Sequence, residues 1–159
     1  MDFVKTAYET TSLPIVGICF GHQILARALG GRVSVNPKGW EVSVSEVDLT
    51  PRGAEIFGTK TLSLHQMHRD IVLELPPGAE NLGSSPTCEF QGMCIGKRVV
   101  SLQSHPEFDG FIMNTILETR HNLRVFNDEV FGSGKSRADL HHDGDLATAA
   151  FWRFLLEGQ

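Results

Sequence analysis

The stretch GICFGHQ at residues 17–23 decides the fold of this chain, because it joins an apolar run to a segment with helical spacing. The apolar run at residues 13–18 predicts a short buried strand. Apolar side chains then recur at helical spacing over residues 24–29, and two glycines at positions 30 and 31 end the predicted helix. A strand followed at once by a helix predicts an α/β fold whose turn lies at residue 19.

Cys19 lies on that turn. A nucleophile on a sharp strand-to-helix turn takes a strained backbone conformation and is exposed at the carboxyl end of the sheet. Small residues on both sides, here Gly17 and Gly21, give such a turn room. A single cysteine is more often packed in a core than reactive, so the turn alone leaves both interpretations open.

A second motif, SLQSHPEF at residues 101–108, favours catalysis over packing. Residues 98–103 predict a strand, and His105 follows at its end, where a general base of an open α/β sheet lies. Glu107 is two residues further on and can orient the imidazole once Pro106 fixes the turn. Together Cys19, His105 and Glu107 provide a nucleophile, a base and an orienting carboxylate.

With these motifs the chain resembles the class I, or triad, glutamine amidotransferase family. The resemblance rests on GICFGHQ, on SLHQMHRD at residues 63–70 and on SLQSHPEF, and it extends over about residues 13–131. The GWEVSV segment at residues 39–44 is similar to stand-alone fungal and plant members, including γ-glutamyl peptidase-like proteins. The resemblance implies a flavodoxin-like α/β fold, with three layers and an open, mostly parallel sheet that carries helices on both faces.

The resemblance also implies a reaction, the hydrolysis of the γ-glutamyl amide of glutamine or of a γ-glutamyl peptide through a cysteine thioester. Cys19 is then the nucleophile, His105 the acid and base, and Glu107 the orienting carboxylate. Two alternatives stay open. The chain is a catalytically inactive, truncated fragment or binding module of the family, or it is a subunit that supplies ammonia to a synthase on another chain.

Five residues are expected to bind the substrate by resemblance: Phe20, Gln23, His65, Gln66 and Met67. The backbone N–H of Phe20 is one oxyanion donor. Gln23 is a candidate for binding the substrate through its side chain, and local packing is its alternative role. The loop at residues 65–67 borders the glutamine pocket through backbone groups, or is simply a polar strand end.

The start of the chain differs from the family pattern. Residues 2–11 predict the last turns of a helix that leads directly into the nucleophile strand, whereas relatives carry further βα units before this point. Residues 1–159 are therefore expected to form one partial domain, truncated at its N-terminus. The missing units would include a glycine-bearing loop that supplies the second oxyanion N–H.

Composition excludes several other classes of function. The net charge of −5 and the absence of a basic cluster argue against a nucleic-acid partner. No apolar run approaches the roughly 18 residues of a membrane span, and the N-terminus lacks the features of a signal peptide, so a cytoplasmic location is expected. The three cysteines form no disulfide framework and are expected to be reduced.

No cofactor or metal is expected, and the predicted partner is a small-molecule substrate. His65 and His68 resemble a metal pair, but three residues apart on a strand they point to opposite faces. A synthase on another chain remains the open partner.

The rest of the chain predicts alternating strands and helices. Residues 40–49 predict a half-exposed strand with Val42, Val44 and Val47 inward, and residues 132–144 a polar connector. Residues 111–125 predict an amphipathic helix whose buried face includes Ile112, Ile116, Leu117 and Leu123. The remaining predicted segments are strands at 31–35 and 61–67, helices at 51–57 and 147–156, and a hairpin of 88–95 with 98–102 across Gly96 and Lys97.

Overall fold

The computed structural model describes residues 1–157, over which the chain forms six helices and eight strands. The helices are α1 Asp2–Thr10, α2 Phe20–Ala28, α3 Pro51–Phe57, α4 Gly110–Asn122, α5 Asp128–Lys135 and α6 Gly144–Glu157. The strands are β1 Ile15–Ile18, β2 Arg32–Val35, β3 Glu41–Leu49, β4 Thr61–His68, β5 Asp70–Glu74, β6 Glu80–Ser84, β7 Gly92–Ile95 and β8 Val99–Leu102. None of the helices within residues 1–157 has both the length and the apolar character needed to cross a membrane.

Two sheets make up the strand layer. The larger has the order β1-β8-β7-β6-β3-β4, and β2 pairs with β5 in the smaller one. Strands β1 and β8 are parallel, in register from Ile15 with Val99 to Ile18 with Leu102. This parallel pair carries the two predicted catalytic motifs at its carboxyl end.

The predicted α/β fold class is confirmed, but the strand directions differ from a mostly parallel sheet within these residues. Every neighbouring pair of the larger sheet other than β1 and β8 is antiparallel. For β7 and β8 the reason is the length of the connection, since a parallel pair needs a long crossover whereas antiparallel strands can follow one another through a short turn. The predicted hairpin is confirmed as β7 and β8, with Gly96 at φ +49° in its turn.

Helices pack on both faces of the larger sheet, as predicted. Neighbouring strand residues point to opposite faces, and on β8 Val99 packs in a cluster with Leu25 and Ala26 of α2. Val100 packs on the other face, with Phe151 of α6 and its neighbours. The sheet that carries the site is therefore held between α2 on one side and α3 and α6 on the other.

Strand β3 is more buried than its alternating pattern predicts. Glu41 and Ser43 are buried along with Val42 and Val44, so the first half of the strand is covered on both faces. The covering element is α5, whose second half lies in the predicted polar connector of residues 132–144, and Ser43 Oγ donates to the carbonyl oxygen of Gly134 at 2.6 Å.

Helix α4 ends earlier than its pattern predicts. It stops at Asn122, and Leu123 forms its C-cap and is 71% exposed instead of buried. Its core-facing side chains are Met113 and Leu117. Strands β5 and β6 are not among the predicted elements, and they flank Gly78, whose backbone has φ +79°.

Candidate active site

Cys19 lies between the last residue of β1 and the first residue of α2, as the turn predicts. Its backbone has φ +48° and ψ −100°, a conformation that residues with a Cβ rarely adopt. The N–H of Cys19 donates to the carbonyl oxygen of Leu102 at 2.8 Å, which continues the parallel pairing with β8 past the end of β1. Such strain persists only where the surroundings enforce it, and it is concentrated at functional sites.

Gly17 permits this turn, whereas Gly21 has another environment. A Cβ on Gly17 would lie 2.5 Å from Cδ1 of Leu25 and 2.9 Å from the backbone of Gly21. The close approach of α2 to β1 therefore requires a residue without a side chain at position 17. A Cβ on Gly21 would meet no atom within 4 Å, so the expectation that both glycines make room holds for Gly17 alone.

His105 and Glu107 form the second half of the site. Nδ1 of His105 lies 2.7 Å from Oε1 of Glu107, and the imidazole stacks on Phe108 with ring centroids 4.0 Å apart. The backbone N–H of His105 donates to the His65 carbonyl oxygen at 2.8 Å, which attaches the turn to β4. Phe108 therefore contacts one face of the imidazole and Glu107 contacts Nδ1. The other nitrogen, Nε2, is available to accept a proton from the thiol.

The electrostatics of His105 favour its protonated form. Burial alone would lower the pKa of His105, but the neighbouring Cys19 and the carboxylate of Glu107, which lies 2.7 Å from Nδ1, raise it to about 9. Burial likewise works to raise the pKa of Glu107, and the hydrogen bond from His105 outweighs it and lowers that pKa. The arrangement stabilises an imidazolium beside the thiol, which is what proton transfer from a cysteine requires.

Gln103 contacts the Cys19 sulfur, although motif reasoning did not assign it to the site. Its Nε2 lies 3.6 Å from Sγ, and its side chain is fully buried at the end of β8. Its Oε1 accepts a hydrogen bond from Nε2 of Gln23 at 3.1 Å, and the same nitrogen donates to the Asp70 carbonyl oxygen at 2.8 Å. The only sequence signal for Gln103 was its place within the SLQSHPEF motif.

A small cavity of about 260 Å³ opens beside Cys19. Three of the five predicted substrate-binding residues line it, namely Phe20, Gln23 and Met67. The other residues around it, which are not among those five, are Trp40, His68, Arg69, Asp70 and Arg120. Phe20 is the first residue of α2, so its backbone N–H has no acceptor within the helix and is available to a bound group.

The remaining two predicted binding residues, His65 and Gln66, lie outside this lining. Both side chains are fully buried, and their polar atoms have no hydrogen-bond partner among the described residues. His65 reaches the site through its carbonyl oxygen, which accepts from His105. A backbone role for this strand end is consistent with that placement.

A buried histidine–carboxylate pair supports the wall of the cavity. Nε2 of His68 lies 3.2 Å from Oε2 of Glu41, which also accepts from Nε2 of Gln91 at 2.9 Å. Burial works to raise the pKa of Glu41, but the neighbouring His68 lowers it overall. Trp40 closes the rim, with the Arg120 guanidinium 5.3 Å above its ring.

The chain is similar in sequence to a described protein family and to several known proteins. Residues 1–120 match the family model described as glutamine amidotransferase class-I. A glutamine amidotransferase-like protein of Schizosaccharomyces pombe is 38% identical over 158 residues, which cover 99% of this chain and 64% of that protein. Gamma-glutamyl peptidase 2 of Arabidopsis thaliana is 32% identical over 125 residues, which cover 76% of this chain and 50% of the relative.

A solved structure is also similar. It is that of a GMP synthase subunit from Thermoplasma acidophilum, with a TM-score of 0.60 and 30% identity over 66% of this chain and 53% of that one. The chain thus spans about half to two thirds of the length of the curated relatives it matches.

Proposed function

Because this chain belongs to the class I glutamine amidotransferase family, we propose that it hydrolyses the γ-glutamyl amide of glutamine or of a γ-glutamyl peptide through a thioester on Cys19. One observation carries the proposal. A cysteine on a strained strand-to-helix turn lies beside His105, whose pKa it helps to raise, and Nδ1 of that histidine is held 2.7 Å from the carboxylate of Glu107.

The first half of the reaction forms the thioester. The Cys19 thiol gives its proton to His105, and Sγ attacks the amide carbon of the substrate. The oxyanion that develops accepts a hydrogen bond from the free N–H of Phe20 at the start of α2. The carbon–nitrogen bond then breaks, and His105 gives its proton to the departing ammonia or amine.

The second half restores the enzyme. Water gives a proton to His105 as its oxygen attacks the thioester carbon, and the carbon–sulfur bond breaks to release a glutamate product. The proton on His105 then returns to the Cys19 sulfur. Glu107 stays ionised throughout and keeps the imidazole oriented, with Nδ1 toward the carboxylate and Nε2 toward the reacting atoms.

The cavity next to Cys19 supports a small, charged substrate. Asp70 offers an anionic group, and Arg69 and Arg120 offer cationic groups around the same opening. Side chains of both signs suit the α-ammonium and α-carboxylate groups of a γ-glutamyl compound.

Supply of ammonia to a synthase is a second candidate function. It is favoured by the likeness to a GMP synthase subunit. The chemistry at Cys19 is the same in both cases, and only the fate of the ammonia differs. Glutaminase activity that rises when a synthase chain copurifies and binds would support this candidate.

The test of the proposal is a hydrolysis assay on the full chain and on Cys19→Ala. Glutamine and a γ-glutamyl dipeptide are supplied separately, and released glutamate and ammonia or amine are measured. We expect turnover that is lost in the variant, with an unchanged thermal transition as the control for folding. Equal turnover by both proteins would refute Cys19 as the nucleophile, and no turnover by a folded parent would favour the inactive-module alternative.

A further inference from the structure

Gln103 is buried against the reacting sulfur without being part of the proposed triad. Its side chain is fully buried, and Cys19 is only partly exposed. A buried amide needs hydrogen-bond partners for both of its ends. One end of Gln103 faces Gln23 and the other faces Sγ of Cys19 at 3.6 Å.

The neighbouring hydrogen bonds determine which end faces the sulfur. The carbonyl oxygen of Asp70 can only accept, so the Gln23 atom 2.8 Å from it must be the nitrogen Nε2. The same nitrogen lies 3.1 Å from Gln103, and a donor there requires the oxygen Oε1 of Gln103 to face it. The hydrogen-bond network thereby leaves the amide nitrogen of Gln103 pointing at Cys19.

We propose that Gln103 is a further residue of the active site, which holds the Cys19 thiolate by donating an amide N–H to the sulfur. The inference rests on the proposed function, in which Cys19 is the nucleophile. A hydrogen bond to an anion is stronger than one to a neutral acceptor, so the donor stabilises the thiolate more than the thiol. The proton that leaves the sulfur is taken by His105, and Gln103 gains and loses none.

The hydrogen-bonded side-chain amides of Gln23 and Gln103 also fix the direction of the N–H group that faces the sulfur. The series of hydrogen bonds begins at the carbonyl of Asp70 on β5, passes through Gln23 on α2 and ends at Gln103, which follows β8. The backbone of Gln103 is held by its own N–H, which donates to the Gln91 carbonyl oxygen at 2.8 Å. Three separate elements therefore set the direction of one N–H group toward Sγ.

Alkylation of Cys19 by iodoacetamide tests the inference, because it reports the thiolate and needs no substrate. Rates are measured against pH for the full chain, for Gln103→Met and for Gln103→Glu, with the labelled peptide identified by mass spectrometry. We expect Gln103→Met, which keeps the size but lacks the donor, to be alkylated about tenfold more slowly at pH 7. Its rate profile should move to higher pH, and Gln103→Glu should move further, because a carboxylate repels the thiolate.

Ser104→Ala is the matched control. Ser104 is the next residue, is fully buried, and its hydroxyl has no hydrogen-bond partner among the described residues. Its alkylation profile should coincide with that of the parent. Thermal unfolding of each protein separates a loss of the fold from a loss of the donor.

The outcomes distinguish this inference from the proposed function. If Cys19 in the folded parent reacts no faster than a thiol in the unfolded chain at every pH, the proposed nucleophile fails. If Cys19 is reactive and both Gln103 variants keep the parent profile, the nucleophile stands and the inference is overturned.

Discussion

At the scale of single residues, the protonation of His105 depends on the charge of Glu107. The variant Glu107→Gln keeps the size of the side chain and an oxygen that can accept from Nδ1, but it removes the negative charge that helps to raise the pKa of His105 to about 9. We expect turnover to fall at least tenfold. The basic limb of the pH profile of kcat/KM should move to lower pH, because the imidazolium then loses its proton earlier.

Glu129→Gln serves as the control for that change, since Glu129 is an exposed carboxylate on α5. Its pH profile should match the parent profile. A Glu107→Gln variant whose basic limb does not move would show that the carboxylate does not act on the titration of His105.

Motifs located Cys19, His105 and Glu107, but not the amide that faces the sulfur. Cys19 and His105 follow strands whose apolar runs are visible in the sequence, and the ends of parallel neighbours meet. Gln103 contacts Cys19 and Gln23, which are 84 and 80 residues away in the chain. No local pattern encodes such contacts, so this part of the site required the structure.

At the scale of elements, the contact of α2 with β1 depends on the missing side chain of Gly17. A Cβ there would lie within 3 Å of both Leu25 and the backbone of Gly21. We expect Gly17→Ala to push α2 from the strand and to lower the free energy of unfolding by about 1–3 kcal/mol. Chemical denaturation monitored by circular dichroism measures the change.

The matched variant is Gly21→Ala, four residues later in the same turn and helix. A Cβ on Gly21 has open space, and alanine is the better helix former by about 0.5–1 kcal/mol. The free energy of unfolding should therefore rise slightly. The same loss in both variants would refute the steric account of the turn.

Elements whose end signals and interior residues agree could be predicted from the sequence, whereas an element with a start signal but poor helix formers in its interior was missed. Helix α3 begins at Pro51, and Thr50 caps it by accepting from Gly53 N. Helix α5 was hidden by Gly132 and Gly134, which lower helix propensity. Its start did carry a signal, since Asn127 accepts from the N–H of Val130, as a capping residue does.

At the scale of the whole molecule, two buried histidines make the fold sensitive to acid. Burial lowers the pKa of His22 to about 4, and burial together with the neighbouring His142 does the same to His65. Between pH 6.5 and 4 the unfolded chain therefore binds protons that the native state does not. Each histidine should reduce the free energy of unfolding by up to about 1.4 kcal/mol per pH unit on acidification through this range.

The variant His65→Phe tests that linkage, because it removes one of the two titrating rings from a fully buried position. The slope of unfolding free energy against pH, measured by denaturation at several pH values from 4 to 7, should be smaller by up to about 1.4 kcal/mol per pH unit. An equal slope in the variant would show that His65 takes up no proton on unfolding.

The order of the strands is the property of the whole molecule that the sequence revealed least. The sequence located most strands, but β8 lies beside β1 although about 80 residues separate them, and β3 pairs with both β4 and β6. These pairings depend on which buried faces fit together, as with Val99 against α2 and Val100 against α6. Hydrophobic patterning indicates that a strand has buried faces. It does not indicate which other strand lies beside it in the sheet.

The most direct measurement of the central claim is the mass of the full chain after treatment with a glutamine-like electrophile. We predict one adduct, located on Cys19, whose formation is prevented by excess glutamine and is strongly slowed in His105→Gln. An adduct on Cys88 or Cys94 instead, or equal labelling of Cys19 with and without His105, would contradict the claim that these two residues form a catalytic pair.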